Sequence, residues 1–317
     1  MRNRFADYIK IARFEHWIKQ LFILPGVVVA FVMTSTELDF NLALSVLIAL
    51  ISTGAAASAN YVINEWLDVE FDKYHPVKKN RPLVQNPLKA RFIIIEYLLF
   101  AAVSLFAASF LSRAVLLTEF WLLIMGIIYN VRPLRSKDLP YIDVLSESLN
   151  NAIRLLIGWF CVTTVFFPPV SLVVGYWFGG AFLMAAKRFA EYRMIGDKNV
   201  AKLYRKSFAH YSEVSLLLSA VFYGFVSVFS CGVFMIKHRV ELIIAIPFIC
   251  GLFCYYLFIC YKPDSAAQKP EKLFREKGLM LYVMFLIALM AVLCFVNIPY
   301  LIMFTDSQLV NIPGVIK

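Results

Sequence analysis

The chain has 317 residues, of which 61% are hydrophobic and only 16% charged, with a formal net charge of +10. The charges cluster between long apolar runs, which is the pattern of a polytopic helical membrane protein and excludes a soluble domain. The cations are spread over several loops and interleave with acids, which suits lipid headgroups and phosphate substrates and excludes nucleic acid as a partner.

Nine apolar spans are predicted, at 17–33, 42–63, 92–111, 115–128, 144–167, 170–186, 214–236, 240–261 and 279–304. Pro25 interrupts the first, and the fourth is short and carries Glu119, so eight is the alternative count. The expected fold is all-α, with nine transmembrane helices around a polar cavity. No Ser-rich, Gly-rich or low-complexity linker divides residues 1–317, which read as one domain. Lys and Arg gather before the first span and in the loops after the second, fourth, sixth and eighth. Only Arg113, Lys237, Arg239 and Lys317 fall on the opposite side. Short loops rich in these residues stay cytoplasmic. The N-terminus and polar loops are therefore assigned to the cytoplasmic face of the cell (inner) membrane, and the C-terminus to the outside. The first span lacks a small-residue cleavage site, so no signal peptide is expected.

After the second span the sequence runs Asn64-Glu65-Trp66-Leu67-Asp68-Val69-Glu70-Phe71-Asp72, then Lys78, Lys79 and Arg81. If Tyr61 to Asp72 continues the helix, Asn64, Asp68 and Asp72 fall at i, i+4 and i+8 on one face, with Glu65 beside it. Mg²⁺ takes one or two carboxylates plus phosphate oxygens and water, so Asn64, Glu65, Asp68 and Asp72 suit a bound Mg²⁺-diphosphate. Lys78, Lys79 and Arg81 would meet the remaining phosphate charge. The bland alternative is a solvated loop whose acids and bases neutralise each other.

A second phosphate-friendly loop follows the fourth span and holds Tyr129, Arg135 and Lys137. It feeds the fifth span, where Asp143, Glu147, Asn150 and Arg154 share one helical face. Ionisable groups in a bilayer face a bundle interior or a wet cavity. This face reads either as a structural ion pair, Glu147 with Arg154 or a neighbouring helix, or as a substrate-cavity wall. A third cluster ends the sixth span, with Lys187 and Glu191 one turn apart and Arg188 between them. Loops after spans two, four and six can converge at one mouth. His16, His75, His210 and His238 lack metal-ligand spacing; His75 is near enough to the acidic run to touch substrate, although a plain loop residue is the simpler reading. The six cysteines all lie in apolar spans without a CxxC pair and read as packing residues.

The Asn64-Glu65-x-x-Asp68-x-x-x-Asp72 run, with Arg81-Pro82-Leu83 after it, resembles the UbiA superfamily of intramembrane prenyltransferases, whose first motif is of the type NDxxDxxxD. Glu65 departs from that pattern, lengthening the acidic arm. Residues 129–137 resemble the family's YxxPPLRxK loop, with Arg132 where a Pro is common. The motif-bearing likeness runs from about residue 15 to 210, and the last three spans share only hydropathy. Most members carry a DxxxD motif at the end of the sixth helix, where this chain has Lys187-Arg188-Phe189-Ala190-Glu191. That sequence is similar to the branch of decaprenyl-phosphate phosphoribosyltransferases, as are His16-Trp17-Ile18-Lys19, Asp72-Lys73-Tyr74-His75-Pro76 and Arg154.

The resemblance implies a UbiA-like nine-helix bundle whose cavity faces the cytoplasm and a Mg²⁺-dependent reaction. Phosphoribosyl diphosphate would be the donor, polyprenyl phosphate the acceptor and diphosphate the product. Asp68 and Asp72, with Asn64 and Glu65, would hold the metal. Lys187 and Arg188 would bind the lipid phosphate or the ribose 5-phosphate, and Glu191 a ribose hydroxyl. The rival within the family moves an isoprenyl group from its diphosphate to an aromatic or other acceptor, and the rival outside it is an ion-coupled transporter. Membrane lipid is an expected partner, and the oligomeric state is left open, a homo-oligomer included.

Overall fold

The computed structural model describes residues 4–75, 77–262, 265–268, 273 and 276–304. Arg2, Pro76, Lys269, Lys272, Arg275 and Lys317, which entered the motif and orientation readings, lie outside the described residues. The helices in chain order are α1 Arg4–Ile11, α2 Leu24–Thr34, α3 Phe40–Leu67, α4 Val69–Asp72, α5 Pro82–Gln85, α6 Ala90–Ser109 and α7 Arg113–Asn130. They continue with α8 Ile142–Val162, α9 Val170–Ile195, α10 Lys198–Tyr204, α11 Glu213–His238, α12 Ile246–Tyr261 and α13 Lys277–Phe295. There is no strand among the described residues. In hydrocarbon a segment must satisfy its own main-chain hydrogen bonds, and a helix does so.

Local signals set the helix starts. Asp39 caps α3 by accepting from Leu42 N–H at 2.7 Å, and Ser112 caps α7 by accepting from Val115 N–H at 3.1 Å. Ser212 and Ser215 form a reciprocal capping box at α11. Large apolar side chains such as Phe106, Phe225, Phe229 and Leu281 stand exposed on the outside of the bundle, where lipid tails would cover them.

Eight segments among the described residues are long and apolar enough to cross a membrane: Ala6–Thr34, α3, α6, α7, α9, α11, Val240–Tyr261 and α13. The expected fifth span is not among them. Its residues form α8, 21 residues long, which by length alone reaches about 30 Å, roughly one hydrocarbon core. Asp143, Glu147 and Arg154 lower its hydropathy, and its neighbours α2, α3, α7 and α9 bury it instead. The expected ninth span is shorter than read, because α13 ends at Phe295 and Pro299–Phe304 is a 3₁₀ turn.

Helix α8 joins the two halves of the bundle. Val144 packs with Phe182, Phe189 and Phe208, while Ile153 and Ile157 pack with Ile23, Ala56 and Leu122. Against α2 the approach is close enough to need glycine on both sides: a Cβ on Gly26 would lie 2.0 Å from the Leu155 carbonyl oxygen, and one on Gly158 2.0 Å from the Ile23 carbonyl oxygen. Small residues allow this main-chain proximity between membrane helices. Gly158→Ala must push α2 and α8 apart and is expected to cost about 1–3 kcal/mol. A lower thermal unfolding midpoint in detergent would register it; an unchanged midpoint would mean that the two helices can slide without loss.

Candidate active site

The C-terminal ends of α3, α7 and α9, with the loops that follow them, meet at one end of the bundle. The helix expected to continue from Tyr61 to Asp72 breaks at Asp68, whose φ of −100° and ψ of 0° leave the helical region. The break is local. Asp68 N–H still donates to the Asn64 carbonyl at 3.0 Å, and Asp72 N–H to the Asp68 carbonyl at 2.8 Å, so the three side chains stay one turn apart.

Asp68 is the junction between the two loops. Its Oδ1 receives Lys137 Nζ at 2.5 Å and an Arg135 guanidinium nitrogen at 2.9 Å, and its Oδ2 receives Asn64 Nδ2 at 3.2 Å. Asn130 Oδ1 accepts from Asn64 at 2.6 Å and from Lys137 at 2.7 Å, closing the ring. Burial raises the Asp68 carboxyl, but Lys137 and Arg135 outweigh it and hold it below the usual carboxylate range. Burial pushes the Lys137 ammonium down to about 8 against the pull of Asp68. Asp72 pairs with Arg81, yet burial prevails there and its carboxyl is raised.

The second cluster is built on Arg188, only 2% exposed. Its guanidinium donates to Glu147, to Glu191 at 3.2 Å and to the Tyr129 hydroxyl at 3.3 Å, and lies 3.7 Å from Asp143. Lys187 stands within Coulombic range of Glu191 and Glu147. Lys78 connects the two clusters: from the loop after α4 it reaches Glu191 at 3.4 Å and donates to the Tyr204 hydroxyl.

Asn64, Asp68, Asp72, Lys78, Arg81, Tyr129, Arg135, Lys137, Asp143, Glu147, Lys187, Arg188 and Glu191 are thus brought to one place. Three expected residues stand apart. Glu65 turns to Arg13, which donates to it at 2.5 and 3.1 Å. Lys79 is exposed. Arg154 lies about three helical turns along α8 from Asp143 and donates to Gln20 Oε1 at 2.8 Å. Within the ion-pair reading of the α8 face, the Glu147–Arg154 pair does not form, whereas a pair with a neighbouring helix does, from Glu147 to Arg188 of α9.

Sequence reasoning passed over Asn130, Tyr204 and Arg205. Arg205, at the end of α10, reaches Asp143 at 3.4 Å and the Tyr129 hydroxyl at 3.5 Å. Asp143 in turn accepts from Ser207 at 3.0 Å and from Tyr211 at 2.8 Å, which ties the 196–211 loop over the site. The run Tyr204-Arg205-Lys206 has the composition of a phosphate site but no helical period to give its direction. Beside Tyr211 an apolar groove of about 490 Å³ opens between α8, α9 and α11, lined by Tyr141, Leu145, Phe178, Leu218, Phe222 and Tyr223.

Among the described residues no group of three or more His, Cys, Asp or Glu side chains is gathered into a metal cage. The first cluster still fits magnesium. Asn64, Asp68 and Asp72 offer hard oxygen donors, and the nearby imidazole of His75 has its Nδ1 committed to main-chain N–H groups. Mg²⁺ needs only one or two carboxylates when phosphate and water supply the rest. Among the described residues the Nε atoms of Arg188 and Arg205 are buried without a hydrogen-bond partner, and such cations complement an anionic ligand.

Residues 22–278 match the UbiA prenyltransferase family, extending beyond residue 210, where the motif-level resemblance stops. The chain is 29% identical over 216 residues to a decaprenyl-phosphate phosphoribosyltransferase of Mycolicibacterium smegmatis, a match covering 67% of this chain and 64% of that protein. It is 27% identical over 219 residues to the protein of that name from Mycobacterium tuberculosis, covering 68% of each. In fold it is similar to a UbiA homologue from Archaeoglobus fulgidus whose structure is described as bound to GPP and Mg²⁺, with a TM-score of 0.67, 19% identity, 90% of this chain and 99% of that one covered.

Proposed function

The chain belongs to the UbiA prenyltransferase family, and from that premise we propose that it transfers 5-phosphoribosyl from phosphoribosyl diphosphate to a polyprenyl phosphate, releasing diphosphate. The observation that carries the donor assignment is the end of α9, where Lys187, Arg188 and Glu191 replace a second pair of aspartates and Arg188 and Lys78 neutralise the single acid. A diphosphate on a second metal ion would need acids there; a monophosphate needs cations.

Asn64, Asp68 and Asp72 would hold Mg²⁺, which when bound supplies Lewis-acid stabilisation to the diphosphate leaving group. Arg135, Lys137 and Arg81, already paired with these acids, add positive charge beside the same leaving group. Lys187, Arg188 and Arg205 bind the phosphate of the ribose or of the lipid, and Glu191 orients a ribose hydroxyl. Tyr129 holds Glu147 through a 2.8 Å hydrogen bond and so keeps Arg188 in place. The anionic lipid phosphate attacks the ribose C1 without a strong general base. The groove between α8, α9 and α11 takes the isoprenoid chain. On this reading α8 also crosses the membrane and brings the spans to nine, the site opens to the cytoplasm, and the membrane is the cell membrane.

The test supplies purified protein in detergent with labelled phosphoribosyl diphosphate, polyprenyl phosphate and Mg²⁺. A labelled lipid that appears with the metal and disappears on chelation with EDTA is expected. Turnover of an isoprenyl diphosphate with an aromatic acceptor, and no labelled lipid, would transfer the chain to the ordinary prenyltransferases.

A further inference from the structure

His75 has no part in the chemistry above, yet it sits where the two clusters meet. It is 4% exposed. Its main-chain N–H donates to the Asp72 carbonyl at 3.2 Å, which places it directly after the last acid of the motif. Its ring packs edge-on against Tyr204 with centroids 4.5 Å apart, and Tyr204 is the phenol that accepts from Lys78. Lys78, Glu191, Arg81 and Lys187 all lie within Coulombic range of the imidazole.

The tautomer is fixed by the fold. Nδ1 accepts from Val77 N–H and Lys78 N–H, both at 3.1 Å, so a neutral ring must carry its proton on Nε2. Nε2–H is buried and has no hydrogen-bond partner among the described residues. The turn consumes one nitrogen and leaves a single donor on the other, with three cations, Lys78, Lys187 and Arg81, and one acid, Glu191, around the ring. Such surroundings suit an oxygen that only accepts and carries negative charge.

We propose that His75 Nε2–H is a specificity-determining donor to a non-bridging oxygen of a substrate phosphate, held between the acidic motif and the end of α9. The inference rests on the phosphoribosyl-transfer reading and deepens it. The phosphate can belong to phosphoribosyl diphosphate or to the polyprenyl phosphate, and kinetics separate the two.

Two substitutions divide the ring's functions. Asn at 75 keeps an acceptor at the Nδ1 position, and so the turn, but lacks the distal N–H. Gln keeps an N–H near the Nε2 position but gives up the turn acceptor. With one substrate saturating, His75→Asn is expected to raise KM for the phosphate-bearing partner by about 10- to 100-fold, the range for a hydrogen bond to a charged group. A rise for phosphoribosyl diphosphate assigns the contact to the donor, and a rise for polyprenyl phosphate assigns it to the acceptor. His75→Gln should stay nearer the wild-type KM while unfolding at a lower temperature than His75→Asn. The orders of affinity and stability are thus opposite. Wild-type KM values for both substrates in His75→Asn, with loss confined to His75→Gln, would overturn the proposal and leave a turn cap. If the wild type itself fails to transfer phosphoribosyl, the functional reading falls separately. Thermal stabilisation by inorganic diphosphate or inorganic phosphate with Mg²⁺ then still reads His75: a weaker shift in His75→Asn than in the wild type supports the contact, and an equal shift overturns it.

Discussion

Asp68→Asn is expected to lower phosphoribosyl transfer by about 10²–10³-fold, the usual cost of removing one preorganised electrostatic contact to a reacting group. The side chains are nearly isosteric, so the loop keeps its course while the charge is lost. That charge has two uses. It gives the leaving group's metal ion a hard anionic oxygen, and it holds Lys137 and Arg135 at 2.5 and 2.9 Å in the same pocket. The Mg²⁺ concentration for half-maximal activity should therefore rise together with the fall in rate. Glu65→Gln is the control, because Glu65 is occupied by Arg13 and its loss should leave the Mg²⁺ midpoint where it is. Initial rates across a Mg²⁺ titration check both variants. A full-rate Asp68→Asn protein with an unshifted midpoint would remove the metal-diphosphate site from this loop.

What the chain disclosed beforehand depends on how far a signal must travel. Charge in an apolar sequence is conspicuous, so the acids at 64–72, the cations at 78–81 and the loops at 129–137 and 187–191 could be located by position alone. Helical spacing gave Asn64 and Asp68 as neighbours one turn apart, but at the end of α9 it pointed to Lys187 with Glu191, where Glu191 is bonded by Arg188. Partners across the fold were not legible. Glu65 seeks Arg13 in the connection after α1, 52 positions away, and Arg205 bends back to Asp143, 62 positions away. Periodicity gives a face but does not say what will lie against it. Helix α8 shows the same limit from the other side: its polar face was plain, yet Glu147 and Arg154 went to separate partners because Arg188 and Gln20 stand at different heights along it. The kink at Asp68 had no sequence mark, since neither Gly nor Pro is present there.

The largest loss of stability is expected at Arg188. Removing its guanidinium in Arg188→Met leaves Glu191 with Lys78, Lys187 standing near, and takes one cation from Asp143, both carboxylates being deeply buried. Breaking a buried pair from one side costs about 3–5 kcal/mol, and the lower end applies because Lys78, Arg205, Ser207 and Tyr211 remain. Glu147 is more open to solvent and adds little. Arg188→Lys should recover only part of this, since an ammonium cannot reproduce a fork that meets Glu147 and Glu191 together. A double-mutant cycle separates scaffold from substrate. In Arg188→Met with Glu191→Gln the unpaired charge is gone, so part of the stability should return, with a coupling of about 1–3 kcal/mol. Turnover should not return, because a substrate phosphate would still lack its bidentate partner. Thermal unfolding and the labelled-lipid assay on the four proteins of the cycle measure the two quantities side by side. If rate and stability recovered together, Arg188 would be a strut between α8 and α9, and the monophosphate would have to be bound by Lys187 and Arg205 without it.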